Sequence, residues 1–208
     1  MESLNNYHSY IVSKGKPNVT RITKPVVFLD RDGVINIDSS AYIKTRDEFH
    51  FLPGSIEAVK QLTQNGFACI VISNQSMIHR KLSTLANLMD MNQWMLSQIE
   101  INGGHIQDIF FCPHGPESGC DCRKPKTGLL EKAASVYDID ISKTIMIGDH
   151  LKDIQCANHA GCARTILVRT GKGQTTESIL DHKLIVHFIA DCLLDAVKWI
   201  INSKKQYI

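Results

Sequence analysis

Short apolar, β-branched runs alternate with longer amphipathic stretches along this chain, and the alternation predicts a layered α/β fold. The runs at 25–29 (PVVFL), 68–73 (ACIVIS), 106–111, 144–147 and 165–168 read as strands, with a sixth short strand expected at 184–186. Helical periodicity predicts helices over 55–64, 83–101, 128–137, 151–160 and 191–201. Gly66, Gly103–Gly104 and Gly161 supply the stop signals for three of them. Strands of this length, separated by helices, call for a parallel sheet covered on both faces. Right-handed β-α-β crossovers then give a doubly wound, Rossmann-like layout. The stripe Leu85, Leu88, Trp94, Met95 and Ile99 is expected to face the core rather than a binding groove.

A chain of 208 residues accommodates one such domain with a full core, and not two. The domain is expected to run from residue 25 to 208, after a polar, loosely ordered extension at 1–24. No apolar run approaches the roughly 20 residues of a membrane span, and the N-terminus lacks the apolar core of a signal peptide. A formal charge of only +2 argues against a nucleic-acid partner. The expectation is a cytoplasmic monomer that meets neither membrane nor nucleic acid.

Ligands of doubly wound sheets bind beyond the carboxyl ends of the strands. The residues that follow the strands here are Asp30-Arg31-Asp32-Gly33, Ser73-Asn74-Gln75, Cys112-Pro113-His114 and Gly148-Asp149-His150. Chemically capable groups therefore collect at one edge. Asp30 and Asp32, two apart in extended chain, can point to one side, and Gly33 lets backbone approach a ligand closely. Asp149 comes from another strand, with Asp153 one helical turn later. Carboxylates converging in this way need a hard divalent cation, and Mg2+ suits a site that also takes phosphate. Asp30 suits attack on phosphorus to form an acyl-phosphate. Asp32 suits proton transfer to the leaving oxygen and from water. Lys124, with magnesium, would offset the charge of the phosphoryl oxygens, and Ser73 would add a hydrogen bond. Each pair alone is ordinary turn chemistry; the ordered set points to phosphoryl transfer.

The seven cysteines divide into two groups. Cys69, Cys156, Cys162 and Cys192 stand alone in apolar or helical surroundings and read as small buried hydrophobes. Cys112, His114, Cys120 and Cys122 crowd into one loop, 112–122, as C-x-H and C-x-C pairs. Three thiolates and an imidazole are a complete tetrahedral set for Zn2+, with no open position, so this metal is expected to be structural. It would pin the loop that leads into Arg123 and Lys124. His79, His105, His159 and His182 have no partner at metal spacing.

Four segments carry a family likeness: VVFLDRDGVIN (26–36), ISNQS (72–76), CRKP (122–125) and IGDHLKD (147–153). They resemble the motifs of the haloacid dehalogenase (HAD) superfamily of phosphatases, in the capless branch that holds heptose 1,7-bisphosphate 7-phosphatases and histidinol-phosphatases. The resemblance runs from about residue 25 to 173. It implies Asp30 as nucleophile, Asp32 as general acid/base that also offers its backbone carbonyl to magnesium, and Asp149 as a further ligand of that ion. It also implies that Ser73 and Lys124 hold the phosphoryl group, and that residues 36–42 form a flap over the pocket. Candidate substrate contacts are Arg31, Asp38 in the flap, Asn74, Gln75 and Ser76 after the second strand, Arg123 and His150. Zinc in the Cys/His loop is part of the likeness.

Heptose phosphatases show NQSG where histidinol phosphatases show NQDG, so Asn74-Gln75-Ser76 favours a heptose bisphosphate, as does the run 169–173 (RTGKG). This would put the chain in nucleotide-activated heptose biosynthesis, which feeds bacterial surface lipopolysaccharide. Two positions depart from that type. Met77 replaces a glycine, so a turn needing positive φ is expected to be reshaped. His150 replaces a lysine, which weakens the expected grip on a second phosphate. Histidinol phosphate, another small sugar or amino-alcohol phosphate, and a polynucleotide 3′-phosphate stay open as substrates. A catalytically silent zinc-bearing interaction module is the reading from another class.

Overall fold

The computed structural model describes residues 21–204. Most of the expected extension lies outside the described residues. Its last part is held on the domain, where the Ile22 N–H donates to the Tyr137 carbonyl at 3.0 Å and the side chain packs on the core.

Six strands form one sheet: β1 (Val26–Leu29), β2 (Ala68–Asn74), β3 (Ile106–Cys112), β4 (Ile145–Gly148), β5 (Arg164–Val168) and β6 (Phe188–Ala190). All are parallel, in the order β3-β2-β1-β4-β5-β6. The helices are α1 (Ser55–Gln64), α2 (Leu85–Ile101), α3 (Gly128–Tyr137), α4 (Leu151–Ala160), α5 (Gly173–Ser178) and α6 (Leu193–Lys204). The two-residue alternation of each strand sends side chains to both faces. Val27, Leu29, Val71 and Ile147 pack with residues of α1, α2 and α6. Phe28, Ile70, Ile72 and Met146 pack with residues of α3 and α4. Each such side chain is fully buried, which stabilises the fold by roughly 1.5–3 kcal/mol apiece.

The direction of winding reverses between β1 and β4. That switch point opens a crevice at the carboxyl ends of β1 and β4, where Asp30 and Asp149 follow.

Two elements differ from expectation. The sixth strand lies at 188–190, not 184–186, because residue 185 is held away from the sheet. Its N–H donates to Asn158 Oδ1 at 2.7 Å, and its carbonyl accepts from Asn158 Nδ2 at 2.9 Å. The His187 Nδ1 accepts the Thr165 N–H at 3.0 Å, and ladder pairing with β5 begins only after it. Helix α5 was not expected, since GQTTES carries no apolar stripe. Elsewhere, Thr84 caps α2 by accepting the Asn87 N–H at 3.1 Å, and Leu88, Met95 and Ile99 face the core.

Candidate active site

The first strand delivers Asp30 to the crevice, and the chain turns at once. The N–H groups of Val34, Ile35 and Asn36 all donate to the Arg31 carbonyl, with Gly33 at φ +83°. A Cβ on Gly33 would collide with the Asp149 carboxylate, and one on Gly171 would do the same from the other side. The Lys172 N–H donates to Asp149 Oδ2 at 2.7 Å, and the Thr170 hydroxyl donates to the Gly33 carbonyl at 2.6 Å. The loop after β5 thus clamps Asp149 against the loop after β1.

Asp30, Asp149 and Asp153 bring carboxylate oxygens within 4.8 Å of one another. Lys124, 1% exposed, reaches into this group. Its ammonium lies 2.6 Å from Asp153 Oδ1 and 3.0 Å from Asp30 Oδ1, and donates to the Ile72 carbonyl at 2.7 Å. Burial disfavours the charged lysine, yet Asp153 and Asp30 outweigh it and raise its pKa. Burial, then the Asp153 charge, pushes Asp30 up to about 7 against the partial relief of Lys124. Burial and the charges of Asp153 and Asp30 push Asp149 up to about 8. One buried ammonium does not balance three buried carboxylates, and the donor set is all oxygen, so the group fits a hard divalent cation. Asp153 spends both oxygens on the protein: Oδ1 on Lys124 and Oδ2 on the His150 N–H at 3.0 Å. Asp30 and Asp149 are the carboxylates left to face an ion.

Asp32 is set apart from this group. Burial works to raise its pKa, but the Arg31 guanidinium and hydrogen bonds from Asn36, Arg31 and Gln75 prevail and lower it. Ser73 lines the pocket and accepts from Gln75 Nε2 at 2.8 Å. Asn74 fixes the backbone of Lys124 in both directions: its Oδ1 accepts the Lys124 N–H at 3.1 Å, and its Nδ2 donates to the Lys124 carbonyl at 3.0 Å.

These residues floor a cavity of about 330 Å³, which suits a small sugar phosphate. Of the expected substrate contacts, Asp38, Asn74, Gln75, Ser76, Arg123 and His150 line it. Arg31, contrary to that expectation, does not: its side chain is 1% exposed and is directed into the protein, onto Asp32. His150 is half engaged elsewhere. Its Nδ1 accepts the Lys152 N–H at 3.1 Å and so caps α4, with the Asp153 side chain closing a capping box. Nδ1 therefore carries no proton, and burial lowers the ring's pKa. Positive charge at the mouth comes instead from Arg80, Arg123, Lys152 and Lys172. Burial, Arg123 and Lys172 lower the pKa of Lys152, the mark of cations crowded together. Arg80, Lys152 and Lys172 were not anticipated. Lys152 and Lys172 stand inside the 147–153 and 169–173 runs and Arg80 shortly after the 72–76 motif, but nothing in that spacing turns a basic side chain toward the pocket.

Met77 does not strain the chain. It is fully buried in the core, and positive φ falls on Lys81 at +57° instead.

The second cluster lies beside the first. The Cys112, Cys120 and Cys122 sulfurs lie 3.2–3.6 Å from one another, and His114 Nδ1 lies 3.5 Å from the Cys112 sulfur and 3.3 Å from that of Cys122. A zinc ion about 2.3 Å from each sulfur would set sulfurs about 3.8 Å apart, so the four groups fit it with little movement. The Cys122 thiol is raised by its hydrogen bond with Cys112 and by burial, a resistance to ionisation that a bound cation reverses. The loop touches the active site at two points. The His114 carbonyl accepts from Arg123 Nη1 at 3.2 Å, and the Cys112 carbonyl accepts the Gln75 N–H at 2.7 Å.

Comparison with known proteins bears on this geometry. Residues 121–196 match the family model described as HAD-hydrolase-like. A D-glycero-β-D-manno-heptose-1,7-bisphosphate 7-phosphatase of Pseudomonas aeruginosa is 43% identical over 155 residues, covering 74% of this chain and 86% of that protein. The chain belongs to the HAD-like phosphatases. A relative of the same name from Neisseria meningitidis is 41% identical over 179 residues, 86% of this chain and 95% of the relative. Among solved structures, D,D-heptose 1,7-bisphosphate phosphatase of B. bronchiseptica, complexed with magnesium and phosphate, superposes with a TM-score of 0.81. It is 36% identical and covers 86% of this chain and 99% of that one. As a HAD-like phosphatase the chain has the parallel sheet expected of it, and the described residues hold no helix long and apolar enough to cross a membrane.

Proposed function

We propose that this HAD-like phosphatase removes the 7-phosphate of D-glycero-β-D-manno-heptose 1,7-bisphosphate through an aspartyl-phosphate on Asp30, as a step in making activated heptose. The observation that carries the reading is the Asp30–Lys124–Asp153–Asp149 group at the floor of a pocket with a cationic mouth.

In the first step the Asp30 carboxylate attacks phosphorus, the bond from phosphorus to the sugar oxygen breaks, and that oxygen leaves with a proton from Asp32. In the second, water attacks the same phosphorus, its proton passes to Asp32, and phosphate departs from Asp30. Arg31, Asn36 and Gln75 keep the Asp32 pKa low, which favours the ionised form that the second step requires. A phosphate ester arriving as its monoanion, with a second pKa of about 6, brings the proton that the first step requires. Lys124 stabilises the phosphoryl oxygens, Ser73 donates a hydrogen bond, and Asn74 keeps Lys124 in place. Magnesium, held by Asp30, Asp149 and the Asp32 carbonyl, would neutralise further charge on the phosphoryl group. Zinc, held by Cys112, His114, Cys120 and Cys122, would keep Arg123 and Lys124 in register. The domain from residue 25 onward carries all of this machinery, and the working unit in this reading is a cytoplasmic monomer.

The mouth discriminates among substrates. Arg80, Arg123, Lys152 and Lys172 attract the second phosphate of a bisphosphate and repel the ammonium of histidinol phosphate. Lys152 and Lys172 thereby supply the charge that His150 lacks. The test is ³¹P NMR of the magnesium-loaded enzyme with three compounds: heptose 1,7-bisphosphate, histidinol phosphate and a 3′-phosphorylated oligonucleotide. Selective loss of the C7 ester signal, with the C1 signal retained, is expected. Preferential turnover of either other compound would overturn the assignment.

A further inference from the structure

Arg31 lies in the chain between the proposed nucleophile and the proposed proton-transfer group, yet it meets neither solvent nor the pocket. Its Nη2 donates to both oxygens of Asp32, at 2.9 and 3.0 Å, and Nε donates to Oδ1 at 3.3 Å. Nη1 turns the other way and donates to the Oδ1 of Asn92 at 3.2 Å. Asn92 is itself 1% exposed, on the inward side of α2, and lines no part of the cavity. The Phe49 ring sits against the guanidinium, 5.8 Å from centroid to carbon. Gln75 completes the frame. Its Oε1 accepts from Arg31 Nη2 at 3.2 Å, while its Nε2 donates to Asp32 Oδ2 at 2.7 Å and to Ser73 Oγ at 2.8 Å.

A pair meant only to hold the fold would be an expensive choice, because a buried ion pair often adds no more stability than apolar side chains of similar volume. What a guanidinium supplies, and an apolar side chain or a lysine does not, is a rigid planar fork that sets the plane of a carboxylate. The fork needs support from behind to act as a fixed part. Asn92 and Phe49 provide that support from elements outside the site.

We propose that Arg31, braced by Asn92 of α2, is a positioning residue that fixes the orientation of the Asp32 carboxylate at the pocket wall. The inference rests on the reading of Asp32 as the proton-transfer group. α2 then acts on the reaction without touching substrate. A displacement of about 1 Å in a reacting group can cost on the order of a hundredfold in rate, so a loosened brace shows in turnover rather than in binding.

The experiment is a double-mutant cycle on magnesium-loaded, full-length enzyme with heptose 1,7-bisphosphate, assayed below the melting temperature of every variant. Asn92→Leu removes the acceptor behind Arg31 at similar size. It is expected to lower kcat by about ten- to a hundredfold while KM stays within about twofold. Asn92→Asp restores an acceptor for Nη1 and is expected to recover most of that turnover. Arg31→Lys, which keeps charge and loses the fork, is expected to resemble Asn92→Leu. In an Asp32→Asn background, Asn92→Leu is expected to add no further loss, because its target is gone. An equal factor from Asn92→Leu in both backgrounds would overturn the brace and leave Asp32's own role standing. Wild-type turnover by Asp32→Asn would instead remove the premise about Asp32, and the brace with it.

Discussion

Lys124→Met tests the electrostatic core of the site. The lysine is 1% exposed and lies 2.6 Å from Asp153 and 3.0 Å from Asp30. Methionine fills comparable space but leaves both carboxylates without their cation. Breaking a buried pair in this way costs about 3–5 kcal/mol. At about 2–4 °C per kcal/mol for a chain of this size, the metal-free variant should melt roughly 6–20 °C below wild type. The loss depends on pH in a definite direction. Asp30 already has its pKa pushed up to about 7, and removal of Lys124 raises it further, so protonation relieves the variant in acid. The deficit should therefore be smaller at pH 6 than at pH 8. Turnover should fall by about 10²–10³, the usual cost of one lost donor to developing charge. Scanning calorimetry at the two pH values, without metal and then with magnesium, reads the stability, and phosphate release reads the rate. A metal-free variant that melts with wild type at pH 8 would refute the claim that Lys124 balances these carboxylates.

Three further outcomes follow from the same geometry. In metal-free protein, Asp30 and Asp149 have folded-state pKa values of about 7 and about 8, above the ordinary 3.8. The native state therefore holds more protons than the unfolded chain between about pH 4 and pH 8, and stability falls as pH rises through that window. Magnesium binds the ionised forms, so its gain in melting temperature should be larger at pH 8 than at pH 5.5; an equal gain at both counts against these carboxylates as its ligands. Gly171→Ala puts a Cβ into the Asp149 carboxylate at φ +57° and should cost about 1–3 kcal/mol and weaken magnesium binding, whereas Gly66→Ala, at φ +78° in open space, should cost only about 1–2 kcal/mol of backbone strain and leave magnesium affinity alone; titration calorimetry separates the two. Cys122→Ser should lose bound zinc by elemental analysis and raise KM, because the His114 carbonyl no longer steadies Arg123; zinc-free protein with wild-type KM would contradict that link.

The parts of this molecule legible in the sequence are those written in local spacing. Asp30 and Asp32 stand two apart after a β-branched run, and the Cys/His set stands as two close pairs in one loop. Strands β1 to β5 carried their own apolar signature. What escaped depends on partners far away in the chain. Arg31 read as a substrate contact because it sits among site residues, and only the fold shows Asn92, 61 positions on, drawing it inward. Asp153 read as one more carboxylate, and its pairing with Lys124 becomes visible only when α4 meets the loop after the Cys/His cluster. The sixth strand shifted because the Asn158 side chain competes for the backbone of Ile185. The cationic mouth adds Arg80, Lys152 and Lys172 to the expected Arg123, from four separate segments, and no spacing announces those three.

The central claim is that Asp30 carries the phosphoryl group between two half-reactions. Enzyme mixed with heptose 1,7-bisphosphate and magnesium, quenched in acid within one turnover and digested, should yield a phosphorylated peptide whose fragmentation assigns the group to Asp30, and Asp30→Asn should yield none. Full turnover with no phosphoryl-peptide at any quench time, or the group on another residue, would contradict the account.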